Sequence, residues 1–474
     1  MKKLFLTAVT LLTAITSGMA CTNLIVGKAA SADGSVIVSY SADSYGMYGY
    51  LCHYPAAVHA EGTWREVYDW ETGRYTGRIP EAAQTYNVIG NINEHQVTIA
   101  ETTFGGREEL VNPEGIIDYG SLIYIALQRS KTAREAIDVM TSLVEEYGYN
   151  SGGESFTIAD PNEVWIMEMI GKGPEHKGAV WVAIRIPDDC ISAHANQARI
   201  RQFPLKDKKN CLYSKDVIKF AREKGYFEGK DSEFDFAAAY CPVDFGGLRY
   251  CDARVWSYFN MFAATDMDAY LPWAMGDASA TPMPLYVQPK QKVSVRDVQH
   301  AMRDHYEGTP MDITGDLGAG PWSMPYRPSP LSFKVDDKTY FNERPISTQQ
   351  TAFTFVSQMR SELPNAIGGV LWFGTDDANM AVFTPVYCCT NVVPECYKRE
   401  KADPVTFSAE SAFWLFNMVS NMVYPRYSAL IGDLKKVQQE CEDGFAANQA
   451  AVEAKAMELY NDNPPKAVAM LTKY

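Results

Sequence analysis

Cys21 is the residue whose type and position could support chemistry most directly. It follows a stretch, residues 1–20, with two lysines at its start, an apolar run and small residues at its end, which is typical of a secretory signal peptide. Cleavage after Ala20 would leave Cys21 with a free α-amine. A thiol of pKa about 8.5 and an amine of pKa about 7.7 to 8.0 would then share one residue, as nucleophile and as base.

A bacterial lipoprotein is the alternative interpretation of this leader, because a lipid on the Cys21 thiol would remove the nucleophile. Two observations favour plain cleavage. Gly18 stands three positions before the cysteine, where lipoprotein signals prefer a large aliphatic residue, and an apolar strand pattern begins at Leu24 instead of a polar tether. We therefore expect an exported protein, periplasmic or extracellular, that is lipid-anchored only if Cys21 is acylated.

Histidine is the usual partner of a cysteine nucleophile, and His194 and His95 are the alternatives to the terminal amine. Each is more simply interpreted as a structural polar residue, so the amine is the preferred base. Among the other cysteines, the spacing of Cys388, Cys389 and Cys396 fits no standard zinc pattern, and disulfides or buried thiols are favoured there. We expect no metal and no cofactor.

The composition excludes several classes of partner. Lys and Arg number 43 against 58 Asp and Glu, and the formal net charge is -15 without a basic run. Such a chain is a poor candidate for binding nucleic acid or an anionic membrane surface. No second long apolar segment follows the leader, so we expect no transmembrane segment in the mature form. The assembly state, a homo-oligomer included, stays open.

A hairpin is predicted directly after Cys21. Residues 22–28 and 35–41 have strand-like patterns, and Asp33-Gly34 between them is a turn signal. A hairpin brings its two ends together, so Asp43, just past the second strand, can approach Cys21 and hold its amine. The simpler interpretation of Asp43 alone is an acid that caps a turn.

Strand patterns come first along the chain and helices dominate its end. Thr132 and Glu135 form a capping-box pattern for a helix that ends at Gly148. Further strands are predicted at 86–90, 96–100, 154–159, 164–170, 180–186, 191–195, 365–377 and 380–386, and a helix at 294–305. Beyond Ser408 the pattern is helical, with breaks at Pro425 and at 461–465. With no clean linker, residues 21–474 form one predicted α+β domain with a helical C-terminal part from about 408.

Long ordered blocks of the sequence resemble the dipeptidase A family of cysteine dipeptidases, within the N-terminal nucleophile hydrolases. The resemblance covers nearly the whole mature chain. The blocks include CTNLIVGKAASADGS from Cys21, INEHQVTIAETT from Ile92, ESFTIADPNEVWIMEMIGKG from Glu154, HANQARI from His194, DARVW from Asp252, RDHYEGTPMDITGDLGAGP from Arg303, NERPISTQQTAFTFVSQMR from Asn342 and LPNAIGGVLWFGTDDA from Leu363.

The resemblance implies a four-layer αββα sandwich and hydrolysis of dipeptides through a thioester on Cys21. By the same resemblance, Asp43 matches the acid near the nucleophile's amine, Asn196 the asparagine that binds the amine or the oxyanion, and Arg254 a site arginine. Thr103 falls where the related acylases have an amide donor. Choloylglycine hydrolases and penicillin V acylases share this layout, so an N-acyl amide hydrolase and an impaired surface lipoprotein of the same fold are the alternatives.

Tyr40 departs from the family pattern, which has arginine three residues before the acid. A phenol donates one hydrogen bond and carries no positive charge at neutral pH, so activity or preference can differ from the family. We assign Tyr40 to substrate binding. A dipeptidase must also bind the free terminus of its small peptide substrate, and Asp43 or Glu154 could do so, although an ordinary strand-end acid is the simpler interpretation of Glu154.

Overall fold

The computed structural model describes residues 21–327, 332–336, 338–341, 343–401 and 403–474. The predicted signal peptide lies outside these residues. Within them the chain mixes helices and strands, as expected for the α+β class. The strands are β1 (Asn23–Val26), β2 (Val36–Asp43), β3 (His53–Tyr54), β4 (Ala57–Val58), β5 (Trp64–Tyr68), β6 (Tyr75–Pro80), β7 (Gln84–Thr85), β8 (Val88–Ile89), β9 (Ile92–Asn93), β10 (Thr98–Gly105), β11 (Gly153–Ala159), β12 (Val164–Gly171), β13 (Ala179–Ile186), β14 (Ile191–His194), β15 (Cys211–Tyr213), β16 (Tyr286–Val287), β17 (Ser332–Val335), β18 (Lys338–Phe341), β19 (Thr351–Met359), β20 (Gly369–Thr375) and β21 (Thr384–Tyr387).

Two large antiparallel sheets contain most of these strands. One sheet has seven strands in the order β16-β14-β1-β2-β19-β20-β21, and the other has eight in the order β15-β13-β12-β11-β10-β9-β8-β3. β1 and β2 pair with Ile25 opposite Val38, and Gly34 in the connecting turn has a φ of 77°, which a glycine adopts without strain. The hairpin predicted from Asp33-Gly34 is confirmed.

Along the chain, the helices lie between groups of strands and predominate at the C-terminal end. They are α1 (Tyr119–Arg129), α2 (Ala133–Tyr147), α3 (Val217–Glu223), α4 (Phe236–Tyr240), α5 (Ala253–Phe262), α6 (Leu271–Ala274), α7 (Val295–Ala301), α8 (Asn365–Gly368), α9 (Ala412–Val423), α10 (Tyr427–Asp462) and α11 (Pro464–Lys473). None of the helices in the described part of the chain is long and apolar enough to cross a membrane.

Both faces of each large sheet are covered by apolar side chains. Ile25 and Val38 of one sheet share a buried cluster with Ile166 of the other, so this cluster lies between the sheets. On β1 the neighbouring Leu24 points to the opposite face, as strand geometry requires, and belongs to a cluster with residues of α5, α7, α10 and α11. Trp165 of β12 likewise packs with residues of α1 and α2. Strands buried on both faces explain why β2 and β12 contain no exposed residue.

The helix boundaries predicted near residue 132 agree with the structure. The Thr132 hydroxyl accepts a hydrogen bond from the Glu135 amide at 3.2 Å, and Gly148 ends α2 with a φ of 81°. Three other predictions need correction, and one of them is the strand at 380–386, which begins only at Thr384 as β21. The predicted strand at 365–377 starts as the short helix α8 and becomes β20 only at Gly369, and the helix predicted at 294–305 ends at Ala301.

Buried ion pairs fix the long helix α10 on the rest of the fold. Arg360, which follows β19, donates two hydrogen bonds to Glu453, at 2.8 and 2.6 Å. Glu442 is 2% exposed, pairs with Arg296 and Arg303, and accepts the amide of Phe383 at 2.9 Å. These contacts join the helix directly to the segments that flank the seven-stranded sheet.

Substitution Glu442→Gln should lower the free energy of unfolding by about 3 kcal/mol, because it removes the charge that compensates Arg303 in a buried environment. Chemical denaturation of the mature protein measures this change. Glu440→Gln, at an exposed position of the same helix, is the matched control and should leave the unfolding midpoint unchanged. Equal midpoints for the two variants would mean that the ion pairs do not hold α10.

Candidate active site

The β1–β2 hairpin places Cys21 two residues before the first strand. Thr22 forms a bridge with Ser41 of β2, whose amide donates to the Thr22 carbonyl at 3.0 Å. This bridge brings the end of β2 next to Cys21, and the backbone of Asp43 forms a hydrogen bond with the Cys21 sulfur. The two residues that the sequence separates by a whole hairpin are therefore neighbours.

Two side chains contact the sulfur of Cys21. Its Sγ atom is 3.5 Å from the Tyr40 hydroxyl and 3.6 Å from Glu101 Oε1. The Tyr40 hydroxyl also donates to Glu101 Oε1 at 2.6 Å. The Tyr40 ring packs against Phe353 and Phe355 of β19, with centroid distances of 5.8 and 5.6 Å. The sulfur thus lies against a phenol and a carboxyl group whose positions are set by packing.

Arg254 of α5 holds the main chain of Cys21 from the other side. Its Nη1 donates to the Cys21 carbonyl at 2.6 Å and to Thr22 Oγ1 at 2.9 Å, while its Nη2 donates to the Ala195 carbonyl and to Asn196 Oδ1, both at 3.0 Å. The side chain is fully buried. A planar guanidinium can hold four acceptors at fixed angles, so Arg254 orients Cys21 relative to the end of β14.

Asn196 follows β14 in a left-handed conformation, with a φ of 65°. Asparagine tolerates this region better than most residues, and the conformation turns its side chain toward β10. Its Nδ2 donates to the Thr103 carbonyl at 2.7 Å, and its amide donates to Thr102 Oγ1 at 3.2 Å. The structure therefore brings Asn196, Arg254 and Cys21 together.

Thr103 connects Asn196 to a pair of buried acids, Glu154 and Glu101. Its hydroxyl donates to Glu154 Oε1 at 2.8 Å, on the neighbouring strand β11. Glu154 forms a hydrogen bond with Glu101, and both side chains are 1% exposed. Burial raises the pKa of both carboxyl groups, most strongly that of Glu154 beside Glu101. Two carboxyls can hydrogen-bond to each other only if one of them is protonated, so the pair shares a proton.

The carboxylate of Asp43 faces away from this pair. It forms an ion pair with Arg344 and accepts hydrogen bonds from Thr351 Oγ1 at 2.6 Å and Ser41 Oγ at 2.9 Å. Alternation along β2 puts Ser41 and Asp43 on the face opposite Tyr40. Burial raises the pKa of Asp43, while the Arg344 guanidinium acts to lower it. Asp43 thus contacts Cys21 through its backbone, and its side chain holds Arg344.

The surroundings of Cys21 disfavour a thiolate. Burial raises the thiol pKa well above its ordinary value, and the charges of Glu101 and Asp43 raise it further, against a lowering by the Tyr40 hydrogen bond. The thiol therefore needs a base in direct contact to react.

His194 cannot be this base, because both of its ring nitrogens are bonded. They lie 2.7 Å from Thr102 Oγ1 and 2.8 Å from Thr157 Oγ1, and burial lowers the pKa of the ring to about 3. His95 packs against the Tyr86 ring, 4.5 Å between centroids, and burial lowers its pKa as well. The histidine alternative gains no support from either residue.

Metal-binding groups are not found in the described ranges. No set of three or more His, Cys, Asp or Glu side chains there is arranged to hold an ion. Within the same residues the cysteines are free thiols, with Cys388 and Cys389 buried and Cys396 exposed. The disulfide interpretation of this cysteine group gives way to free thiols, two of them buried.

Comparison with protein families matches residues 20–68 and 47–440 to peptidase family C69. The chain belongs to peptidase family C69. Because the match spans most of the chain, it includes both large sheets and the residues around Cys21. The resemblance predicted from the sequence blocks is confirmed at this level.

Curated relatives of this C69 peptidase carry dipeptidase names. This chain is 28% identical over 410 residues to a probable dipeptidase of Salmonella dublin, and the match covers 82% of this chain and 85% of that protein. It is 27% identical over 477 residues to a probable dipeptidase of Latilactobacillus sakei, covering 96% and 90%. Dipeptidase A of Lactobacillus helveticus is 24% identical over 454 residues, covering 91% and 86%.

Two residues of the site were not predicted from the sequence, namely Glu101 and Arg344. Glu101 carried a signal, since it is a charged residue within an otherwise apolar and threonine-rich strand pattern, Thr98 to Phe104. Arg344 carried none, because it approaches Asp43 from a segment 301 residues away. The predicted residues Cys21, Tyr40, Asp43, Thr103, Glu154, Asn196 and Arg254 form one connected group in the structure.

Substitution Arg254→Met should reduce kcat/KM for peptide hydrolysis by about 100-fold or more, because a small displacement of the nucleophile has effects of this size. Steady-state kinetics on folded, mature protein measures the loss. The kcat/KM of Arg254→Lys should lie between the values for the parent and for Arg254→Met. Arg201→Met removes an exposed arginine that pairs with Asp235 and should keep full activity. Full activity in Arg254→Met would exclude a role for Arg254 in holding Cys21.

His194 should make the protein less stable in acid. Above pH 6.5, its ordinary pKa, the ring is neutral in both states and its contribution to stability is fully present. Between pH 6.5 and about 3 the unfolded chain binds a proton that the folded protein excludes, so stability falls by up to about 1.4 kcal/mol per pH unit from this group.

Urea denaturation at pH 7 and pH 4.5 tests this dependence. We expect His194→Gln to show a smaller loss between the two pH values than the parent protein. The exposed His300→Gln should retain the parent's full loss. Identical pH dependence in the parent and His194→Gln would show that His194 is not the titrating group.

Proposed function

We propose that this C69 peptidase is an exported cysteine dipeptidase whose nucleophile is the N-terminal Cys21 exposed by removal of residues 1–20. The observation that carries the proposal is the position of Cys21. Arg254 donates a hydrogen bond to the Cys21 carbonyl, and the Cys21 sulfur lies 3.5 Å from the Tyr40 hydroxyl and 3.6 Å from Glu101 Oε1. The dipeptidase names of the relatives support the substrate class.

The proposal includes the four-layer αββα arrangement of N-terminal nucleophile hydrolases, formed by residues 21–474 as one domain with its helical C-terminal part. The three buried clusters support it. One lies between the two sheets, one joins the seven-stranded sheet to α5, α7, α10 and α11, and one joins the eight-stranded sheet to α1 and α2. In this arrangement Cys21 lies two residues before a central strand of the seven-stranded sheet.

In the proposed mechanism the α-amine of Cys21 accepts the proton of its own thiol, and the sulfur attacks the scissile carbonyl carbon. The C–N bond then breaks, the leaving amine takes the proton from the Cys21 ammonium, and a thioester remains. Water attacks the thioester, gives its proton to the same amine, and releases the acid product and the thiol. An amine of pKa about 7.7 to 8.0 suits this exchange near neutral pH.

The oxyanion needs donors close to the sulfur. We propose that Asn196 Nδ2 and neighbouring backbone amides supply them. Asn196 Nδ2 donates to the Thr103 carbonyl at 2.7 Å, so it would exchange this acceptor for the oxyanion during the reaction. The Thr103 hydroxyl donates to Glu154, which favours a positioning role for Thr103.

Arg344 offers a reason why Tyr40 can stand where the family pattern has arginine. Its guanidinium pairs with Asp43 and interacts electrostatically with Cys21, so a positive charge reaches the site from a different segment. Tyr40 instead hydrogen-bonds to Glu101. The loss of the family arginine therefore does not leave the site without a cation, which supports an active enzyme over an impaired lipoprotein.

We further propose a periplasmic or extracellular location, small peptides as partners, and no requirement for a metal or another cofactor. Export follows from the proposed signal peptide alone. Hydrolysis of a panel of dipeptides, N-acyl amino acids and bile-salt conjugates by the mature protein separates the dipeptidase from the acylase alternative. Preference for the acyl compounds would overturn the proposed substrate class.

Substitution Cys21→Ser should reduce dipeptide hydrolysis at least about 1000-fold, because the hydroxyl is a far weaker nucleophile and each member of a catalytic unit is needed. Product formation by mature protein measures the rate. Cys441→Ser removes an exposed thiol far from the site in sequence and should keep the parent rate. A Cys21→Ser protein with more than a tenth of the parent activity would contradict the proposed nucleophile.

A further inference from the structure

We propose that Glu101 and Glu154 form the subsite that binds the free α-ammonium group of the substrate's first residue. The inference rests on the proposed function and names how the enzyme would select dipeptides with an unblocked N-terminus. It assigns a direct substrate contact to Glu101, and it assigns the terminus to this pair instead of Asp43.

The geometry of a dipeptide limits where such a subsite can lie. The first residue carries both the ammonium and the scissile carbonyl, whose nitrogen and carbon are roughly 2.5 Å apart. A nucleophile approaches the carbonyl carbon to about 3 to 3.5 Å before it reacts. A carboxylate that binds the ammonium must therefore lie within about 9 Å of the sulfur, given a charged hydrogen bond of about 2.8 Å. Glu101 Oε1, at 3.6 Å from Cys21 Sγ, meets this condition.

The two carboxyls retain unused acceptor atoms. Glu101 Oε1 accepts from Tyr40 and Glu154 Oε1 accepts from Thr103. Within the described part of the chain, no group outside the pair donates to Glu101 Oε2 or Glu154 Oε2, so the proton that the two carboxyls share is the donor available to these oxygens and lone pairs remain free on both. The pair that shares one proton carries a single net negative charge, which matches the single positive charge of an ammonium group. An ammonium has three N–H donors for these acceptors.

Several other acids in or near the core pair with arginines, whereas Glu168 and Asp376 are compensated by hydrogen-bond donors alone. Asp43 faces Arg344, and Glu442 and Glu453 also form arginine ion pairs. Among the described residues no Lys, Arg or His nitrogen forms an ion pair with Glu101 or Glu154. A buried acidic pair without a cation is unfavourable unless something compensates it. The proposed α-amine of Cys21 must be unprotonated to act as the base, so in the reactive state the cation that compensates the pair is the one that arrives with the substrate.

The comparison of a free with a blocked substrate tests this subsite. Mature protein is assayed with alanyl-alanine and N-acetyl-alanyl-alanine, and the ratio of the two kcat/KM values is measured. We expect a ratio of about 100 or more for the parent, since a site built to bind a charged group rejects the analogue that lacks it. Glu101→Gln and Glu154→Gln should each reduce the ratio to below about 10 by lowering the value for the free dipeptide.

Glu175→Gln, at an exposed position after β12, is the matched control and should retain the parent ratio. Alkylation of Cys21 by iodoacetamide shows that each variant keeps a reactive nucleophile. A parent ratio retained by both Glu101→Gln and Glu154→Gln would overturn the subsite while the dipeptidase proposal stands. A parent protein that cleaves neither compound nor any other dipeptide would instead overturn the proposed function.

Inhibition of the parent protein tests the subsite without any substitution. Alaninamide carries the ammonium group, and propionamide has the same carbon skeleton without it. We expect alaninamide to inhibit alanyl-alanine hydrolysis at a concentration at least about 10-fold lower than propionamide, from one charged hydrogen-bonded contact. Equal inhibition by the two amides would exclude ammonium binding next to the nucleophile.

Discussion

The guanidinium of Arg254 is the point at which the candidate site is joined to the fold. From one buried side chain on α5 it reaches the carbonyl of Cys21 and both the backbone and side chain at the end of β14. These acceptors lie just beyond the paired ends of β1 and β14, where Asn23 is opposite His194, and Arg254 fixes the two chain extensions to each other. The orientation of Cys21 therefore depends on the packing of α5 against the seven-stranded sheet, which the apolar cluster around Trp256 maintains.

A second constraint is electrostatic. The sulfur of Cys21 is buried beside Glu101, and the side chain of Asp43 lies nearby, so the reactive anion is disfavoured until a proton acceptor is in contact with it. The neighbouring histidine is neutral and bonded at both nitrogens. The proposed free α-amine of Cys21 would be a proton acceptor in direct contact with the thiol. The same acidic side chains that raise the pKa of the Cys21 thiol would attract a cationic substrate.

Local signals in the sequence predicted local structure well. Asp33-Gly34 predicted the hairpin that brings Asp43 to Cys21, and Thr132 predicted the beginning of α2, because turns and caps depend on a few adjacent residues. β19 was not predicted, and complete burial alone does not explain this, because β2 and β12 are buried at every residue and were predicted. The contact of Arg344 with Asp43 spans 301 residues and depends on strand pairing that no local pattern reports. The resemblance to a family supplied Asn196 and Arg254, which spacing alone did not.

The proposed mechanism requires that the mature chain begin with Cys21 and that the α-amine of Cys21 be free. Tandem mass spectrometry of the N-terminal peptide of the protein isolated from its producing cells measures both at once. The account predicts a peptide that begins at Cys21, with an unmodified thiol and an unblocked α-amine. A peptide that begins at another residue, or one with a lipid on the thiol or an acyl group on the nitrogen, would contradict it.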